Sequence, residues 1–70
     1  MVLEFKLKSE FVELDNMLKA LGLVAGGAEA KQQILAGLVK VNGAVESRIR
    51  RKLKLGDTAD FGGNTITVVS

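Results

Sequence analysis

AEAKQQILAGLVKVNGAVESRIRRKLKLGD, residues Ala28 to Asp57, changes its apolar period part-way along. From about Ala28 to Ala36 the apolar residues follow helical spacing. Ala30, Ile34 and Leu35 are expected to face inward, and Glu29, Lys31, Gln32 and Gln33 to face water. Gly37 is a stop, because glycine accepts the left-handed backbone that ends many helices. Val39 and Val41 then alternate with Lys40 and Asn42, which is the period of a half-buried strand. Asn42-Gly43 predicts a tight hairpin turn, since both residue types tolerate positive φ. Ala44 and Val45 begin the return, and a basic run follows in which Leu53 and Leu55 alternate with Lys52 and Lys54. Gly56-Asp57 is the next turn. The stretch reads as a helix, a stop, a hairpin and a basic return segment.

Towards the N-terminus, Val2 to Lys8 alternates. Leu3, Phe5 and Leu7 fall on one side and Glu4, Lys6 and Lys8 on the other, which predicts a half-buried strand. Ser9 is a candidate N-cap, with Glu10 in the first turn where the helix dipole favours an acid. Phe11, Leu14, Leu18 and Leu21 are spaced as one helical face, widened by Val12 and Met17, and Gly22 stops it. This predicts a helix from about Phe11 to Leu21, with Leu23 to Gly27 as connector. Towards the C-terminus, Thr58 to Phe61 is a short strand, Gly62-Gly63-Asn64 a turn, and Thr65 to Val69 a β-branched strand. The order β-α-α-β-β-β-β describes an α+β domain with two helices on a small, mostly antiparallel sheet.

Seventy residues make one domain, 1–70, and a chain this short buries only about 60% of its unfolded surface. The chain has no Cys and no His. It therefore cannot assemble a Ser-His-Asp or Cys-His centre, and it lacks the commonest metal ligands. No phosphate-loop or dinucleotide motif is present, and the carboxylates are scattered among lysines. The expectation is a non-enzyme without cofactor or metal. No apolar run exceeds three residues, which is too short to cross a bilayer, and the start is not a signal peptide. A cytoplasmic protein, monomeric and without a membrane partner, is expected.

Charge is distributed unevenly. Seven of the ten Lys and Arg lie between Lys31 and Lys54, opposed there only by Glu46. That block carries a formal +6 against +2 for the whole chain, leaving −4 elsewhere. A run of charge is often no more than a solvated strand edge. Here three arginines sit within it, and their planar forks suit phosphate. The acids gather elsewhere, at Glu10, Glu13 and Asp15 and at Asp57 and Asp60. The pattern points to a polyanion-binding face. The only aromatics, Phe5, Phe11 and Phe61, fall on faces assigned to the core, so a base-stacking platform is not expected. Recognition would run through phosphates and shape, with Gln32, Gln33 and Asn42 as polar supplements.

Leu14-Asp15, Leu18, Leu21-Gly22, Ala30-Lys31-Gln32, Gly37, Val39, Val41-Asn42-Gly43 and Gly56-Asp57, in that order, resemble the ribosomal-protein "S-four"-type RNA-binding domain, or alpha-L motif. The resemblance covers about Val12 to Phe61. The leading strand and the trailing Phe61-Gly62-Gly63-Asn64 are similar to the small stand-alone, YbcJ-like branch, in which the motif is the entire protein. The resemblance implies binding of structured RNA of the ribosomal or transfer RNA class, alone or within a ribosome or other ribonucleoprotein. It also implies contacts from Lys19, Lys31, Gln32, Lys40, Asn42, Arg48, Arg50, Arg51 and Lys52. Many members carry a Ser/Thr-Arg pair where this chain has Gly26-Gly27. The alternative is a protein-interaction module or small assembly subunit, with the apolar C-terminal strand pairing against a partner's sheet edge. DNA binding is a weaker third reading.

Overall fold

Leu14, Met17 and Leu18 lie three and four positions apart, and all three are fully buried in the computed structural model, which describes every residue from Met1 to Ser70. They sit on helix α1 (Leu14–Ala20), whose C-terminal stop at Gly22 has φ +72. Helix α2 (Gly27–Leu35) contributes Ala30 and Ile34 to the same core. Its start is held by Glu29, whose Oε1 accepts the N–H of Ala25, the residue before the Gly26 N-cap, at 2.7 Å. Two of the expected helical orientations are corrected here. Leu35 is 59% exposed, and Gln33, expected towards water, is half-buried. The helix ends one residue after Ile34, so Leu35 never meets a second layer.

The sheet beneath the helices has the order β1-β7-β6-β3-β4. Its strands are β1 (Val2–Lys6), β3 (Lys40–Val41), β4 (Ala44–Val45), β6 (Thr58–Phe61) and β7 (Asn64–Val69). Only β1 and β7 run parallel, with Val2 beside Thr65 and Lys6 beside Val69. The other three pairings are antiparallel. Val41, Ala59, Ile66 and Val68 face the helices and complete the core with Val39. Asn42 (φ 51) and Gly43 (φ 85) make the expected hairpin turn between β3 and β4. The Asn42 side chain also ties that turn to the next one. Its Oδ1 accepts the Thr58 N–H at 3.0 Å, and its Nδ2 donates to Asp57 Oδ1 at 3.2 Å.

The first helix begins later than its periodicity predicts. Val12–Glu13 is not helical but a short strand, β2, paired antiparallel with β5 (Lys52–Leu53) in a separate two-stranded sheet. The element order is therefore β-β-α-α-β-β-β-β-β. Tertiary hydrogen bonds override local spacing at this point. Leu14 N–H donates to Arg51 O at 2.9 Å and Asp15 N–H to Ile49 O at 3.2 Å, so the return segment caps α1. Ser9 is not the cap, and its Oγ donates to Phe11 O instead. Phe11 lies outside both the helix and the core cluster. Leu55, expected inward with Leu53, is 62% exposed because the chain turns at Leu55-Gly56. The C-terminal strand β7 lies between β1 and β6 with both edges paired, so it has no free edge to offer a partner's sheet.

Candidate nucleic-acid interface

The segment Glu46–Arg51 joins β4 to β5 without regular structure of its own, yet it is anchored from three directions. Ile49 packs against the core. The carbonyls of Ile49 and Arg51 cap α1. The third anchor is Glu46, 7% exposed and the one charged residue in the buried set. Its Oε2 accepts the Arg48 backbone N–H at 2.9 Å and Arg48 Nε–H at 3.0 Å. Its Oε1 accepts from Arg48 Nη2 at 3.1 Å and from Arg51 Nη1. Both ion pairs in the molecule converge on this carboxylate.

Beside this clamp, Arg48, Arg50, Arg51, Lys52, Lys54 and Asp57 line an open concavity of ≈ 610 Å³ with no hydrophobic side chain in its wall. Arg48, Arg50, Lys52 and Lys54 are exposed, while Arg51 is half-buried. Lys52 lies over the Phe11 ring, its Nζ 4.9 Å from the centroid, a cation–π contact that gives Phe11 a role outside the core. Asp57 is the concavity's one acid, and it is occupied. Its Oδ2 accepts the Lys54 N–H at 2.8 Å while Oδ1 accepts from Asn42.

Hydrogen bonds from the Arg48 side chain and backbone hold the Glu46 carboxyl down to about 2, with Arg51 adding to the effect against the opposing pull of burial. The Lys54 N–H and the Asn42 amide hold Asp57 below its ordinary value in the same way. Arg48 is raised by its bonds to Glu46. A depressed carboxylate binds fewer protons folded than unfolded, so its contribution is present above the ordinary carboxylate range and lost as pH falls towards the folded value. The thermal midpoint is therefore expected to be flat from neutrality down to about pH 5 and to fall steadily between about pH 5 and pH 2. Glu46→Gln should flatten that fall. Calorimetric or dichroism melts across the window check both.

The sequence-derived candidates fall into three places. Arg48, Arg50, Arg51 and Lys52 share the concavity. Lys40 does not. It lines a second, smaller hollow with Leu38, Asp60, Phe61, Gly62 and Gly63. Val39 and Val41 are buried on either side of it, so Lys40 points to the sheet face away from the helices, in register with Asp60. Lys19, Lys31 and Gln32 are exposed on the helices and line neither hollow. Lys19 is at the opposite end of α1 from the capping segment. Asn42 spends its amide on Asp57 and Thr58. Two residues outside that set belong to the same arrangement. In the sequence Lys54 is the continuation of the basic run, and Glu46 is the lone acid inside it.

A family model described as "S4 domain" matches residues 5–69. The chain is 46% identical over 63 residues to "Putative RNA-binding protein YbcJ" of Escherichia coli (strain K12), covering 90% of each protein. It matches to the same extent "Uncharacterized protein YbcJ" of Shigella flexneri. Among solved structures, the solution structure of YbcJ from E. coli superposes with a TM-score of 0.72 at 46% identity, covering 96% of this chain and 86% of that one. That structure is described as revealing an alpha-L motif involved in RNA binding. The α+β architecture, two helices on a mostly antiparallel sheet, is the same motif. With the family model spanning nearly the whole length, the chain belongs to the S4 domain family.

Proposed function

We propose that this protein is a non-catalytic, cytoplasmic RNA-binding domain, residues 1–70 acting as one monomeric unit. It grips structured RNA of the ribosomal or transfer RNA class through its phosphates. The observation that carries this reading is the gathering of five cationic side chains, Arg48, Arg50, Arg51, Lys52 and Lys54, around one concavity whose only acid is already hydrogen-bonded. The absence of Trp and Tyr leaves few groups for stacking bases, which favours a backbone-led contact. The relatives' description as RNA-binding agrees with it. Lys19, Lys31, Gln32 and Lys40 are outlying members of the contact set, reached only by an RNA that extends past the concavity. Asn42 serves it by fixing the turn. A ribosome or another ribonucleoprotein is the setting in which such RNA is met, and no helix here is long and apolar enough to cross a membrane.

The test is a salt titration. A labelled RNA hairpin followed by fluorescence anisotropy should bind with a log–log salt slope corresponding to about 4–6 phosphates. Absence of binding, or affinity indifferent to salt, overturns the proposal.

A second reading, a protein-interaction module or assembly subunit, draws on Leu35, Leu38 and Val45, which are exposed near Gly37. A pull-down with and without ribonuclease separates the two. Partners lost on digestion support RNA, and partners that survive it support this alternative.

A further inference from the structure

The concavity supplies positive charge, but the most constrained group beside it is negative. Glu46 is buried within a block that is otherwise cationic, and it is the shared partner of Arg48 and Arg51. For polyanion binding, an acid at that place is at first sight a defect, since it subtracts from the attraction. The geometry gives it another use. Two guanidiniums brought close together repel, and a carboxylate between them offsets the repulsion. Glu46 engages Arg48 along its Nε and Nη2 edge and Arg51 through Nη1, while Arg48 stays largely exposed. A guanidinium carries five N–H donors in a fixed fork, so each arginine keeps donors free for a second anion. The Arg48 backbone N–H donates to the same carboxylate, which fixes the base of the side chain as well as its tip.

Resting on the RNA-binding reading above, we propose that Glu46 is the positioning residue of the interface: it holds Arg48 and Arg51 side by side so that their remaining N–H groups meet the same stretch of phosphate backbone. Ordering two long side chains before RNA arrives removes that cost from the binding step, which is the advantage of preorganisation.

The claim separates cleanly from attraction by charge alone. Glu46→Gln raises the net charge of the block by one. Charge alone therefore predicts tighter binding and a steeper salt slope. Positioning predicts the reverse: affinity for the RNA hairpin about tenfold weaker, the loss of one charge-assisted contact, and a log–log slope shallower by about one phosphate. Arg48→Lys keeps the charge but loses the bidentate fork, and it should weaken binding in the same direction. Arg48 is a surface side chain, so unchanged binding in this variant overturns the claim even where Glu46→Gln does not fold.

The parent protein, Glu46→Gln and Arg48→Lys are titrated together by anisotropy over a range of salt, with circular dichroism on each. Weakening in Glu46→Gln with retained dichroism supports the proposal, as does a loss in Arg48→Lys that Glu46→Gln does not deepen when the two are combined. Binding in either folded variant as tight as in the parent overturns it while leaving the RNA reading standing. A parent that does not bind overturns both.

Discussion

Replacing Arg50 and Lys54 together by Glu is expected to weaken binding of a structured RNA about 100-fold near physiological salt while leaving the fold in place. Both side chains line the concavity, both are exposed, and neither joins an ion pair. Each reversal removes one positive charge and adds one negative, so the pair changes the local field by four units. At roughly 0.7 kcal/mol per unit of exposed charge, that is about 3 kcal/mol, or about two orders of magnitude in Kd. Anisotropy on the variant, with a thermal melt as control, checks it. A less than threefold change would mean that the RNA sits elsewhere. This pair is a better probe than Arg50 with Arg51. The Arg51 guanidinium holds the buried Glu46, so changing it alters the scaffold together with the surface. The loss should be similar for RNAs of unrelated sequence, because phosphate contacts carry no base identity.

The second large effect is on stability. Leu53 and Leu55 read alike in the sequence, each between lysines or at the end of the basic run. Leu53 is fully buried in β5, opposite Val12 of β2, whereas Leu55 faces solvent. Leu53→Ala is expected to cost about 3 kcal/mol through lost burial and the cavity left behind. In a domain this small the thermal midpoint should fall by about 15 °C. Leu55→Ala should change stability by less than about 0.5 kcal/mol. Equal losses at the two positions would contradict the placement of the turn at Leu55-Gly56.

That contrast shows where local pattern stops being informative. Val39 and Val41 are buried where their alternation puts them, and Asn42-Gly43 turns where the dipeptide requires it. The helical spacing of Leu14, Met17 and Leu18 finds the core. These are short-range signals, settled by sterics and by which side of an element meets water. Val12–Glu13 carries a helical pattern because Phe11, Leu14 and Leu18 keep a helical period through it. Its true partner, Lys52–Leu53, is distant in sequence, and only tertiary pairing reveals it. The candidate interface follows the same division. The run Arg48 to Lys54 is legible as charge. The face on which Lys40 emerges depends on strand order, and the clamp at Glu46 depends on a loop closing back on itself. Neither leaves a periodic trace.

The parallel pairing of β1 with β7 has a bearing on how the molecule is made. Val2 finds its neighbour only at Thr65, so β1 must wait for nearly all the intervening chain before its ladder can form. During synthesis the helical hairpin can collapse early, while the sheet lacks both β7 and β1, with Leu3 and Phe5 uncovered on the nascent chain. Closing so long a loop is slow compared with local contacts. Refolding should therefore finish with β1, and its amides should be the last in the sheet to gain protection from hydrogen exchange.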